Sequence, residues 1–155
     1  FFQQMSEENA PARKTCDPLS ATVVDLDNGR THLPPFLDCV QERNIELVKE
    51  HLSGGAPQQD VRHGFYLACK YGYTEIIKLL LARDDVDVNL QDLRRRTGFH
   101  YACENGHVEI VKLLLARDNL DVTTKEKVGK TGFHYACKNG HTEIVNLLLA
   151  RDDLD

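Results

Sequence analysis

The stretch TGFHYACENGH at 97–107 returns as TGFHYACKNGH at 131–141, 34 residues further on. Residues 97–121 and 131–155 agree at 21 of 25 positions, and 63–87 agrees with 97–121 at 15 of 25, one period upstream. A degraded copy precedes these: NIELVKEHL at 44–52 aligns with HVEIVKLLL at 107–115, which puts Phe36 on the position of Phe99 and Cys39 on that of Ala102. A fixed period of this length marks stacked modules, each too small to bury a core alone.

Each module reads as two short helices and a loop. Thr97 is an N-cap residue type, able to satisfy a free backbone N–H of the first turn. Phe99, Ala102 and Cys103 give the first helix one narrow apolar face. Gly106 suits the left-handed residue that ends it. The second helix carries Ile110, Val111, Leu113, Leu114 and Leu115, too many for one stripe, so it must be covered on more than one side. DNLDVTTKEKVGK is polar and turn-prone, a loop or a two-stranded hairpin.

At this point the residues resemble the ankyrin repeat. TGFHYAC is similar to that family's T-P-L-H-x-A-A, NGHVEIVKLLL to its G-H-x-E-I-V-x-x-L-L, and DVDVN at 85–89 to its hairpin A-D-V-N. The resemblance covers Pro34 to Asp155 and implies an all-α solenoid of stacked helix-turn-helix units with connecting β-hairpin loops. Unit boundaries fall at about 34–62 (a degenerate cap), 63–96, 97–130 and 131–155. Gly98 and Gly132 stand where the family has proline, and are expected to loosen the start of each first helix.

Upstream, ATVVDLDNGRTHL holds an Asn-Gly pair between apolar residues, so 21–33 is expected to form an incoming hairpin that opens the repeat domain, 21–155. Residues 1–20 are expected to be a flexible tail. Met5 reads as the natural start, with the residues before it a remnant of the expression vector. The first copy is polar (Gln41, Glu42, Arg43, Glu50, His51) and reads as a cap. The last copy carries interior-type Val145, Leu148 and Leu149. Further repeats, or another chain including a second copy of this one, are expected to cover it.

Catalytic and metal chemistry find little footing. His100, Cys103 and His107 are zinc-ligand types, but Gly106 breaks the helix between them and each unit lacks a fourth ligand. Cys103 and Cys137 fall on a small core position, where cysteine acts as a small hydrophobe. VGKT at 128–131 lacks the leading glycine of a phosphate loop, since Thr124 stands there. The only serines are Ser6, Ser20 and Ser53, and no nucleophile elbow exists. The reading is therefore no enzyme, no metal and no cofactor. Net charge is −5, which argues against nucleic acid as the partner. No apolar run approaches the roughly 18 residues of a membrane span. Five cysteines without a dense framework fit a reducing, intracellular location, cytoplasmic or nuclear.

What remains is binding. The resemblance implies a protein-interaction module (scaffold, adaptor or inhibitor) that uses a concave face of first helices and the hairpin tips. The alternative is the regulatory part of a larger enzyme or membrane channel whose active portion lies outside this chain. Carried over residue by residue, the first-helix positions are Leu67, Lys70, Tyr71, Tyr101, Glu104, Asn105, Tyr135, Lys138 and Asn139. The hairpins QDLRRR and TTKEKVGK hold six basic residues (Arg94, Arg95, Arg96, Lys125, Lys127, Lys130) and two acidic ones, net +4 on a chain of net −5. They suit a partner with an acidic segment, or serve only as solvated loops. Asn89, eight residues after Leu81 and preceded by Asp87 and Val88, resembles the site of ankyrin repeats modified by asparaginyl hydroxylases.

Overall fold

A computed structural model describes residues 35–151 and the backbone of two short strands. The chain divides into two compact units, Phe1–Pro34 and Pro35–Asp155. In the first, β1 (Val23–Val24) pairs antiparallel with β2 (Thr31–His32), Val23 opposite His32 and Val24 opposite Thr31. This pair lies within the 21–33 stretch read as a hairpin; the 1–20 tail lies outside the described residues.

The second unit is a stack of helix pairs: α1 (Phe36–Gln41) with α2 (Ile45–Ser53), α3 (Gln58–Tyr71) with α4 (Thr74–Leu81), α5 (Gly98–Asn105) with α6 (Val108–Leu115), and α7 (Gly132–Asn139) with α8 (Thr142–Leu149). First helices pack in one row, α1 on α3 on α5 on α7, and second helices in another, α2 on α4 on α6 on α8. Each pair turns on a left-handed residue. Gly72, Gly106 and Gly140 take φ of 79°, 75° and 74°, and Arg43 takes 58° in the first pair. Glycine holds that conformation without the Cβ clash that other residues meet there.

The second helices are covered on several sides, as their composition requires. Ile76, Ile77 and Leu80 of α4, Ile110, Val111 and Leu114 of α6, and Ile144 and Leu148 of α8 are all fully buried. Each such side chain contributes about 1.5–3 kcal/mol of burial. Val88, Leu120 and Val122 are buried too, anchoring the bases of the loops. The loops fold back as fingers closed by Asp92 N–H to Arg96 C=O and Glu126 N–H to Lys130 C=O, each 2.9 Å. Among the described finger residues no strand forms: each finger is closed by one cross-bond and a turn rather than by a ladder.

The glycines of the first helices have a role that their backbone freedom does not explain. A Cβ on Gly98 would lie 2.5 Å from Phe65 Cε1 and 2.8 Å from Cys69 Sγ, and one on Gly132 would lie 2.5 Å from Phe99 Cε1. On Gly64 it would lie 2.6 Å from Phe36 Cε1. Each phenylalanine thus sits on the glycine of the following unit. Beside the expected loosening at Gly98 and Gly132 stands a packing requirement, since both are buried against an aromatic ring.

One unit breaks the pattern. Where α5 and α7 are capped by Thr97 and Thr131, the matching residue before Gly64 is His63. Without the threonine cap the helix runs back to Gln58, where Pro57 precedes it. The loop before it shrinks to residues 54–57, so no finger precedes α3.

Candidate protein-binding surface

Histidines tie the units together. The Thr97 amide can only donate, so His100 Nδ1 accepts from it at 3.2 Å, and the Thr97 hydroxyl lies 2.9 Å from the same nitrogen. That places the proton on Nε2, which donates to Lys130 C=O at 3.2 Å in the next finger. Burial lowers the pKa of His100, favouring this neutral form. His107 and His141 reach the other way, Nε2 meeting Lys70 C=O at 3.0 Å and Glu104 C=O at 3.1 Å in the preceding unit. Their rings lie over the turn glycines, 2.7 Å from a Cβ built on Gly72 and 2.6 Å from one on Gly106.

His100, Cys103 and His107 therefore diverge, each engaged with a different neighbour. Cys69 and Cys103 are fully buried, and burial pushes both thiols up, out of reach of ionisation. Among the described residues, no group of three or more His, Cys, Asp or Glu is placed to hold a metal ion.

The positions singled out for binding fall into three sets. Arg94, Arg95, Lys125 and Lys127 are exposed on adjacent fingers joined by Lys127 N–H to Arg94 C=O at 3.1 Å. Leu93 and Val128 stand beside them 92% and 78% exposed, which sequence reasoning missed; the one signal was an isolated leucine or valine among charges. Lys70 and Tyr71 are exposed at the end of α3, with Tyr71 stacked on Tyr73. Lys138, Asn105 and Asn139 are also exposed, Leu67 half-buried.

The third set is drawn into the protein itself. Arg96 donates to Glu104 Oε2 at 2.8 Å and to the Tyr135 hydroxyl at 2.7 Å, and lies over the rings of Tyr135 and Tyr101. Tyr135 is buried, so it holds Arg96 rather than presenting a free aromatic face. Tyr101 donates to Asp92 Oδ2 at 2.6 Å; burial first, then that bond, pushes its pKa up to about 12. Asp92 Oδ1 accepts from the amides of Arg94 and Arg96 at 2.8 Å each. Burial would raise the Asp92 pKa, but the bonds from Tyr101 and those amides outweigh it and hold the carboxyl low. Asn139 is committed to Glu104 C=O at 2.6 Å.

Asn89, marked by its spacing for modification, laces two loops: its amide donates to Asn119 C=O at 2.6 Å and accepts from Asp121 N–H at 2.8 Å. On the last unit, Cys137 is exposed and Leu149 is 63% exposed. No described helix is long and apolar enough to cross a membrane.

A comparison with the curated proteins matches none of them to this chain. The family model described as ankyrin repeats, three copies, matches residues 36–126 and 65–155. Together these matches span the stacked helix pairs, the left-handed turns and the Thr-x-x-His ties. The chain belongs to the ankyrin-repeat family, whose repeats are generally protein–protein interaction modules and typically non-catalytic.

Proposed function

We propose that this chain is a scaffold, adaptor or inhibitor module that holds a partner protein by its fingertips and first-helix face, the partner offering an acidic segment. The observation that carries the reading is the pair of linked fingers. They present Arg94, Arg95, Lys125 and Lys127 with no ion pair among the described residues, on a chain of net −5. Four unpaired cations held side by side steer an acidic partner and weaken with salt. Exposed Leu93 and Val128 add apolar contact area at the same tips.

The test is affinity capture with the intact chain and with a charge-reversed variant, Arg94→Glu, Arg95→Glu, Lys125→Glu and Lys127→Glu together. A captured partner should be lost with the variant, and its binding to the wild type should weaken steeply as salt is raised. A partner retained by the variant, with a flat salt response, rules the fingertips out.

A further inference from the structure

The geometry points to the groove between the first turns of α3 and the first finger as the seat of a short acidic peptide segment of a partner, its carboxylate met by Arg62 and an apolar side chain laid on Leu93. This rests on the protein-binding reading above and gives it a location. The groove exists because the repeat is broken there. With no finger before it, the extra length of α3 becomes one wall, and the finger after α4 becomes the other. Both walls are pinned: Gln58 donates to Asp85 C=O at 2.8 Å, and Arg83 donates to Leu52 C=O at 3.0 Å. Between them lies a groove of about 510 Å³, lined by Gln59, Arg62, His63, Tyr66, Asp92 and Leu93 among others. That size is within the usual range of ligand sites.

Volume alone does not single it out, since grooves of about 440 Å³ and 370 Å³ lie elsewhere on the stack. The unspent chemistry does. Along α5 and α7 several polar groups are matched internally, Arg96 with Glu104 and Tyr135, Tyr101 with Asp92, Asn139 with Glu104. In the groove, Arg62 is exposed and makes no ion pair among the described residues. The acid on the groove wall, Asp92, already takes two backbone amides and a phenol. Asp87, at the adjoining slot, takes the Asn89 amide at 2.9 Å. Arg94 and Arg95 follow Leu93 on the same finger and add positive charge to it. Tyr66 stands where later units have histidine. Its hydroxyl is buried beside Arg62; burial raises its pKa, and the Arg62 guanidinium opposes the rise. The histidine tie that knits the third unit to the next finger is therefore missing at this junction.

The probe is a short fluorescein-labelled peptide of alternating glutamate and leucine, set against the same peptide with lysine for glutamate. The acidic peptide should raise anisotropy to saturation, and its amide shift changes should cluster at Arg62, Tyr66 and Gln91–Leu93. Arg62→Glu should weaken it roughly tenfold or more, and Arg62→Gln by a smaller factor, whereas Lys125→Glu should change affinity by less than about threefold. No binding, shifts confined to the second finger or α7, or an unaltered affinity in both Arg62 variants would overturn the groove. None of those results touches the fingertip reading, which stands or falls by partner capture.

Discussion

The third and fourth units are nearly one sequence in two settings. Cys103 is buried and Cys137 exposed, His100 is buried and His134 exposed, and Phe99 is 1% exposed where Phe133 is only half-buried. Tyrosine runs the other way: Tyr135 is buried and Tyr101 half-buried. Direction explains both. Contacts that look back along the stack, such as Tyr135 on Arg96 and His141 on Gly106, are complete in the last unit. Contacts that look forward are not: a Cβ on Gly106 would meet the His141 ring, whereas nothing lies within 4 Å of one on Gly140. In a stack, burial of a residue is a property of the module beside it.

The largest test of that contrast is aromatic. Phe99→Ala should cost about 3–5 kcal/mol, because it empties a filled seat, and Phe133→Ala well under half as much. Urea unfolding midpoints measure both, and equal losses would break the comparison. Next, Gly132→Ala drives a methyl into the Phe99 ring and should cost about 1–3 kcal/mol, with Phe99→Leu recovering part of it. A tolerated Gly132→Ala, or a pair of changes whose effects simply add, would remove the seat. Third, Arg96→Ala strips the bonds to Glu104 and Tyr135 and should cost about 1–2 kcal/mol, while exposed Arg94→Ala stays within about 0.5 kcal/mol.

The smallest effect is a slope. The His100 pKa is lowered by burial from 6.5. The unfolded chain then takes up its proton first, so the stability held by neutral His100 is full above 6.5 and is lost as pH falls below it. His100→Gln should flatten the stability–pH curve in that acid window. An unchanged curve would mean that the tie to the next finger does not carry the contrast between His100 and its exposed counterpart.

Much of this was legible beforehand. The repeat period, Thr97 as a cap, Gly106 as a turn and the over-full apolar face of α6 are local patterns, and each forms where its residues predict. Other features were not legible. Gly98 and Gly132 read as weak points because glycine's backbone freedom is visible in one residue, whereas its service as a seat needs the Phe of another unit. Tyr101 and Tyr135 look alike in sequence, but it is the Tyr135 hydroxyl that takes a hydrogen bond from Arg96, 39 residues upstream, while the Tyr101 hydroxyl goes to Asp92. Loss of the threonine at 63 was visible; that α3 would then grow backward and open a groove was not, since it depends on the short loop before it.

Residue order alone is enough to specify the module and its faces, because caps, turns and helical periodicity act within a few residues. Which of those faces is covered, which arginine is consumed and which left free emerged only from the stack, because those energies belong to pairs of side chains one repeat apart.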